Sequence, residues 1–211
     1  MTSRFDVDGL LKLLREKVGD FPYPHQLAVL LDNPLRRKLE QPAASVNVIS
    51  LSGDENVLEI GPGPGFFSAE IARCLKSGHL ALFDIQPEML EKARRKLARA
   101  GHHNVSFHAG EAGADLPFGD GHFDAAFMAQ VIGEVTDKEA CLRSLARVLK
   151  PEGALVFHES FPDPDRMSVS ELRDLAEPHG FELIQAHGGR WKDIVRFQKP
   201  ADRSASAANG D

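Results

Sequence analysis

The chain has 211 residues, a net charge of −6, 42% apolar and 27% charged side chains, which is room for one α/β domain with modest additions. That balance leaves no global field to draw it onto nucleic acid or an anionic membrane. No run of about 18 apolar residues occurs, so no membrane span is expected. The charged start "MTSRFDVDGLLKLLREK" lacks a signal-peptide core, so the expected location is cytoplasmic.

Residues 1–50 read as a helical cap placed before the main sheet. Asp8 can cap a short helix that carries Leu10, Leu11, Leu14 and Val18 on one face and stops at Gly19. Pro22, Pro24, Pro34 and Pro42 then allow only short helices. From 51 to 200 apolar strands alternate with helices. "NVLEI" is a strand, "FFSAEIARCLK" a helix striped by Phe67, Ile71 and Leu75, and "HLALFDI" a strand. "PEMLEKARRKLARA" is a helix with Pro87 in its first turn, Leu90, Ala93 and Leu97 as its buried stripe, and Gly101 past its end. "NVSFHAG" and "FDAAFMAQVI" are strands. "DKEACLRSLARVLK" is a helix with a capping box of Thr136 and Glu139, and "GALVFHES" a strand. Ser168 and Glu171 box the next helix, and "FELIQAHG" and "WKDIVRFQK" form a strand pair turning at Gly188 and Gly189. Residues 201–211 are small, polar and expected to be disordered. Cys74 and Cys141 fall inside helical patterns and read as thiols, not a disulfide framework.

Seven strands separated by helical crossovers imply an α/β, doubly wound, Rossmann-like sheet, mostly parallel, with the last strand antiparallel. In such sheets ligands bind beyond the carboxyl ends of the strands, at the topological switch point. The loop "EIGPGPGF" follows the first strand, where that point should lie. Gly61, Gly63 and Gly65 permit positive φ and close backbone approach, and the helix expected from about Phe66 turns free N–H groups toward the same space. A dinucleotide fingerprint would need a small residue at the sixth position from Gly61, where Phe66 stands. No Gly-Lys-Ser/Thr follows, so the phosphate-loop pattern fails too.

Three features accompany the loop. Asp84 ends the second strand, and a carboxylate there can accept two ribose hydroxyls. The third strand exits into "AGEAGADLPFGDGHFD", and "RVLKPEGALVF" leads into the fifth, with a turn at Pro151 and Gly153. Together with Glu59 and the three glycines, residues 56 to about 199 resemble the class I S-adenosylmethionine-dependent methyltransferases, and within them the methyltransferase type 11 group acting on quinones, lipids and natural products.

The resemblance implies S-adenosylmethionine as methyl donor, S-adenosylhomocysteine as product, and transfer to a small-molecule acceptor. It implies that Glu59 holds the methionine amino end and that Gly61, Gly63 and Gly65 line the aminoacyl and ribose parts. Asp84 would bind the ribose, Ile85 pack on adenine, Glu111 and Ala112 meet its edge, and Ala129 and Gln130 lie near the sulfonium. Candidate bases are His158 and Glu159 at the end of the fifth strand, and Tyr23 and His25 in the cap, which closes over the substrate in similar enzymes. Each has a plainer reading: a packed core histidine, a loop cap, a lid seal. Arg36 and Arg37 could meet an acidic substrate group or form a solvated face. The basic helix 91–99 has an ordinary buried stripe, which argues against nucleic acid. His102 and His103 lack partners at metal-ligand spacing, so no metal is expected. Two other functions compete: a protein that binds the donor or its product without transfer, and a nicotinamide oxidoreductase, which Phe66 disfavours.

Overall fold

Val57, Leu58 and Ile60 leave no polar alternation in the first strand, as a parallel strand covered on both faces requires. The computed structural model describes residues 41–161, 163–189 and 191–201, and there that strand, β1 (Asn56–Ile60), is central. The order of elements is α1 (Pro42–Asn47), β1, α2 (Ser68–Cys74), β2 (His79–Asp84), α3 (Pro87–Arg99), β3 (Val105–Ala109) and β4 (Phe123–Ala129). A 3-10 turn (Ile132–Glu134), α4 (Lys138–Val148), β5 (Leu149–Ser160), α5 (Val169–Ala176), β6 (Glu182–Gly188) and β7 (Lys192–Gln198) complete the described chain. The expected helix at 8–18, Tyr23, His25, Arg36, Arg37 and residues 202–211 lie outside the described residues.

The sheet has seven strands in the order β3-β2-β1-β4-β5-β7-β6. β1 pairs in parallel with β2 and β4, β2 with β3, and β4 with β5, whereas β7 is antiparallel to both β5 and β6. Strand order reverses between β1 and β4, so the switch point lies at their carboxyl ends. Alternate residues feed two cores. Val57, Leu82, Phe127 and Val156 join Phe67, Ile71, Ala93 and Leu97 under α2 and α3. Leu58, Phe83, Met128 and Phe157 join Leu142, Leu145 and Leu172 under α4 and α5.

Local readings hold where side chains alone decide them. Pro87 opens α3, Gly101 follows it at φ 79°, and Leu90, Ala93 and Leu97 are buried. Ser168 and Glu171 form the expected capping box. The box expected at Thr136 and Glu139 is displaced by one residue: Asp137 is the N-cap and accepts the Ala140 N–H at 2.8 Å. Glu139 instead reaches His179, 2.5 Å away on a different element. α2 starts at Ser68, two residues beyond Phe66, because 63–67 form a turn. The turn at Pro151 and Gly153 is a bulge inside β5: Phe123 faces Leu149 and Ala125 faces Ala154, with Glu152 at φ 62°.

Candidate functional site

The glycine loop is tied to the neighbouring strand at its root and along its length. Gly61 N–H donates to Phe83 O at 2.8 Å, and Gly63 N–H to Asp84 Oδ2 at 3.1 Å. Asp84 Oδ1 accepts from Gln86 N–H at 2.8 Å. The three glycines stand at φ 65°, 52° and 81°, all in the left-handed region. Their surroundings differ. A Cβ on Gly61 would lie 2.3 Å from Val131 Cγ2, and one on Gly65 3.2 Å from Ala93 Cβ of α3; one on Gly63 would meet nothing within 4 Å. Gly61 and Gly65 therefore serve close packing, and Gly63 faces open space. Phe66 is buried beside Phe67, edge to face at 5.0 Å, in the core below the loop.

Polar groups buried here are unusual in their partners. Asp84 is only 7% exposed, and burial raises its pKa against the pull of the Gln86 and Gly63 N–H groups. Glu59 is 2% exposed, and among the described residues neither its Oε2 nor Ser68 Oγ has a hydrogen-bond partner. Burial pushes Glu59 up to about 8; the Ser68 hydroxyl opposes this, and the Asp84 charge adds to it. Ile85 follows Asp84 with 55% of its surface exposed, an apolar face open at the rim. Gly110 N–H donates to Asp84 O, which brings the exposed Glu111 and the half-buried Ala112 beside the β2 exit. A carboxylate with lone pairs left over, an open glycine, an apolar shelf and two orphaned buried oxygens suit a ligand with a ribose, an aromatic base and an amino group.

Ala129 ends β4. Gln130 follows at φ 56°, its N–H on His158 O at 2.9 Å and its side-chain amide donating to Ser160 O at 3.1 Å. That amide therefore points to the β5 exit. Val131 then covers Gly61, and Gly133 packs so closely on Asp165 that an added Cβ would sit 2.0 Å from its carbonyl oxygen. The 130–134 segment thus spans from the glycine loop to the turn after β5.

His158 and Glu159 are neighbours on β5, so their side chains leave opposite faces of the sheet. His158 is fully buried, its Nδ1 3.0 Å from Ser45 Oγ and its ring against Phe67. Glu159 is 1% exposed; Oε2 accepts the Met167 N–H at 3.1 Å, and among the described residues Oε1 has no hydrogen-bond partner. Burial pushes it up to about 8; the Met167 N–H and Arg166 oppose, while Asp163 and Asp193 add. Arg166 pairs with Asp193. Glu134, Ser68 and Ser45 carry no motif of their own. Glu134 was discoverable only as a carboxylate close after a strand's carboxyl end. It is exposed at the surface, though the protein around it takes away part of its hydration. That lost hydration, then the charges of Asp163, Asp165 and Asp84, pushes it up to about 7. Among the described residues no cluster of three or more His, Cys, Asp or Glu could hold a metal, and no helix is long and apolar enough to cross a membrane.

The model of a methyltransferase-domain family matches residues 51–196. The ubiquinone/menaquinone biosynthesis C-methyltransferase UbiE of a Shewanella species is 40% identical over 134 residues, 63% of this chain and 51% of that protein. UbiE of Vibrio cholerae is 35% identical over 126 residues, 59% and 48% of the two chains. The chain spans about half the length of the curated relatives it matches. Among solved structures, a SAM-dependent methyltransferase from Aquifex aeolicus superimposes with a TM-score of 0.78 at 24% identity, over 84% of this chain and 99% of that one. The cyclase SpnF does so at 0.68 and 20%, over 77% and 81%.

Proposed function

The chain belongs to the methyltransferase-domain family, and on that footing we propose that it moves the methyl group of S-adenosylmethionine onto a small-molecule acceptor. The observation that carries the reading is Asp84. Each of its oxygens already holds one backbone N–H, which fixes the carboxylate and leaves each a lone pair for one ribose hydroxyl. The fold alone would not suffice, since it is also that of a cyclase. The names of the curated relatives support a small-molecule acceptor.

S-adenosylmethionine, when bound, supplies a methyl group on an already activated sulfonium. The protein's work is then alignment and exclusion of water. Asp84 takes the ribose hydroxyls, Ile85 offers its exposed face to adenine, and Glu111 and Ala112 meet the base edge. Gly63 gives the backbone its open approach, while Gly61 and Gly65 hold the loop in shape. Glu59 and Ser68 face the amino end, and Ala129 and Gln130 close the floor. Glu159 is the group suited to receive a proton once pH rises to about 8, where it ionises, should the acceptor need to lose one. His158, held by Ser45, sets the position of the β5 exit.

The test measures S-adenosylhomocysteine formation from S-adenosylmethionine and a small-metabolite mixture, with calorimetry of donor binding alongside. Product should form, and Asp84→Ala should weaken donor affinity by about 10- to 100-fold, the worth of charge-assisted hydrogen bonds. Donor binding without any product would favour a non-catalytic binding protein; unchanged affinity in Asp84→Ala would remove the ribose assignment.

A further inference from the structure

The ladder between β5 and β7 runs one pair past their last strand residues. Ser160 faces Lys192, and the next residue, Phe161, donates its N–H to Trp191 O at 2.8 Å. Residues opposite each other on paired strands share a face. The two rings accordingly meet edge to face, with centroids 5.1 Å apart and planes at 69°. Both lie open, Phe161 at 37% exposure and Trp191 at 53%. Among the described residues the other large apolar side chains left so open are Ile85, at the same carboxyl edge of the sheet, and Ile184 on the edge strand β6.

A lone apolar side chain at a surface needs no explanation, whereas two aromatic rings held together in the open make a binding surface. Its position says for what. Gln130, which closes the donor floor, donates its side-chain amide to Ser160 O at 3.1 Å, and Phe161 is the next residue. The ring pair therefore continues the wall of the donor site past the end of β5. Alternation along the strand puts Phe161 on the same side as Glu159, two residues earlier. The aromatic wall and the carboxyl suited to receive a proton thus stand on one side of β5.

We propose that Phe161 and Trp191 hold the methyl acceptor, which presents a flat, unsaturated ring to them. This rests on the methyl-transfer reading and names specificity-determining residues and a ligand shape within it. Two ring planes at this angle form a corner. A flat ring stacks on one plane while its edge meets the other, the offset and edge-to-face arrangements that aromatic groups favour. A saturated ring of the same size is thicker and lacks the charge distribution that makes those arrangements attractive. The donor residues leave the choice of acceptor open; this corner narrows it.

Trp191 is the single tryptophan of the chain, so its emission reports on this corner alone. The test uses the full chain saturated with S-adenosylhomocysteine and two matched probe pairs: 4-propylphenol with 4-propylcyclohexanol, and 3-phenylpropanol with 3-cyclohexylpropanol. In calorimetry the flat member of at least one pair should bind about three- to tenfold tighter. The same probe should shift or quench the Trp191 emission. Trp191→Leu should bring the two members of the pair close to equal, whereas Trp191→Phe, which keeps a flat ring, should retain most of the difference. Both variants should take up S-adenosylhomocysteine as the parent chain does. Equal binding within every pair, no binding of any probe, a flat-ring preference that survives Trp191→Leu, or an emission unmoved by a probe that calorimetry finds bound would each overturn the proposal. Failure of the methyl-transfer reading looks different: the chain would not take up S-adenosylhomocysteine at all, and both proposals would fall.

Discussion

Two alanine substitutions in one loop should have opposite characters. Both positions need a left-handed backbone, which costs alanine about 1 kcal/mol. At Gly61 the new methyl also collides with Val131, so Gly61→Ala should lower the Tm of the ligand-free protein by more than that strain explains. At Gly63 the methyl enters open space, so Gly63→Ala should cost little Tm but weaken donor binding, read by calorimetry. Glu59 governs a pH dependence. Its folded pKa, about 8, is raised above the ordinary value of 4.5. The stability it contributes is therefore complete below a pH of about 4.5 and is lost as pH rises through about 8. Glu59→Gln cannot ionise and escapes that loss. Thermal unfolding should find the two proteins similar near about pH 5 and the variant ahead near about pH 9, by on the order of a few kcal/mol. The acid and the glycines were legible in the sequence because each has a local signature. Their division of labour was not, because Val131 and Ala93 meet Gly61 and Gly65 only after the chain folds.

At the level of elements, the start of α4 separates two readings that the sequence leaves adjacent. Thr136 and Asp137 both make good caps, and the spacing to Glu139 favours Thr136. The structure uses Asp137, because Glu139 is drawn to His179. Asp137→Ala should cost about 1 kcal/mol in denaturant unfolding, and Thr136→Ala less than about 0.5 kcal/mol. β5 teaches a similar lesson. Pro151 and Gly153 signal a turn, but not that the strand resumes its ladder beyond them. His158 and Glu159 stood side by side in sequence as candidate bases; strand alternation puts the imidazole with Ser45 and Phe67 and the carboxyl with Met167, on opposite sides of the sheet.

For the molecule as a whole, the alternation of strands and helices predicted the fold class and the antiparallel last strand, because burial on both faces writes itself into continuous apolar runs. The placing of β7 between β5 and β6 depends on long-range pairing that no local pattern encodes. A ligand that binds only the native chain raises its stability by about 2.7 kcal/mol at a hundred times its Kd. S-adenosylmethionine at such excess should raise Tm by about 5–10 °C for a chain of this size, and NAD should leave it unmoved. The segment after β4 has a consequence for how such a chain can diversify. Val131 fills the space above Gly61 while Gly133 seats the turn at Asp165, so one short stretch answers to two masters. A population of variants selected for a new acceptor cannot freely reshape residues 130–134 without disturbing the loop at 61–65. Sizes at 61 and 131 should therefore drift together under selection, a bulkier residue at one demanding a smaller one at the other.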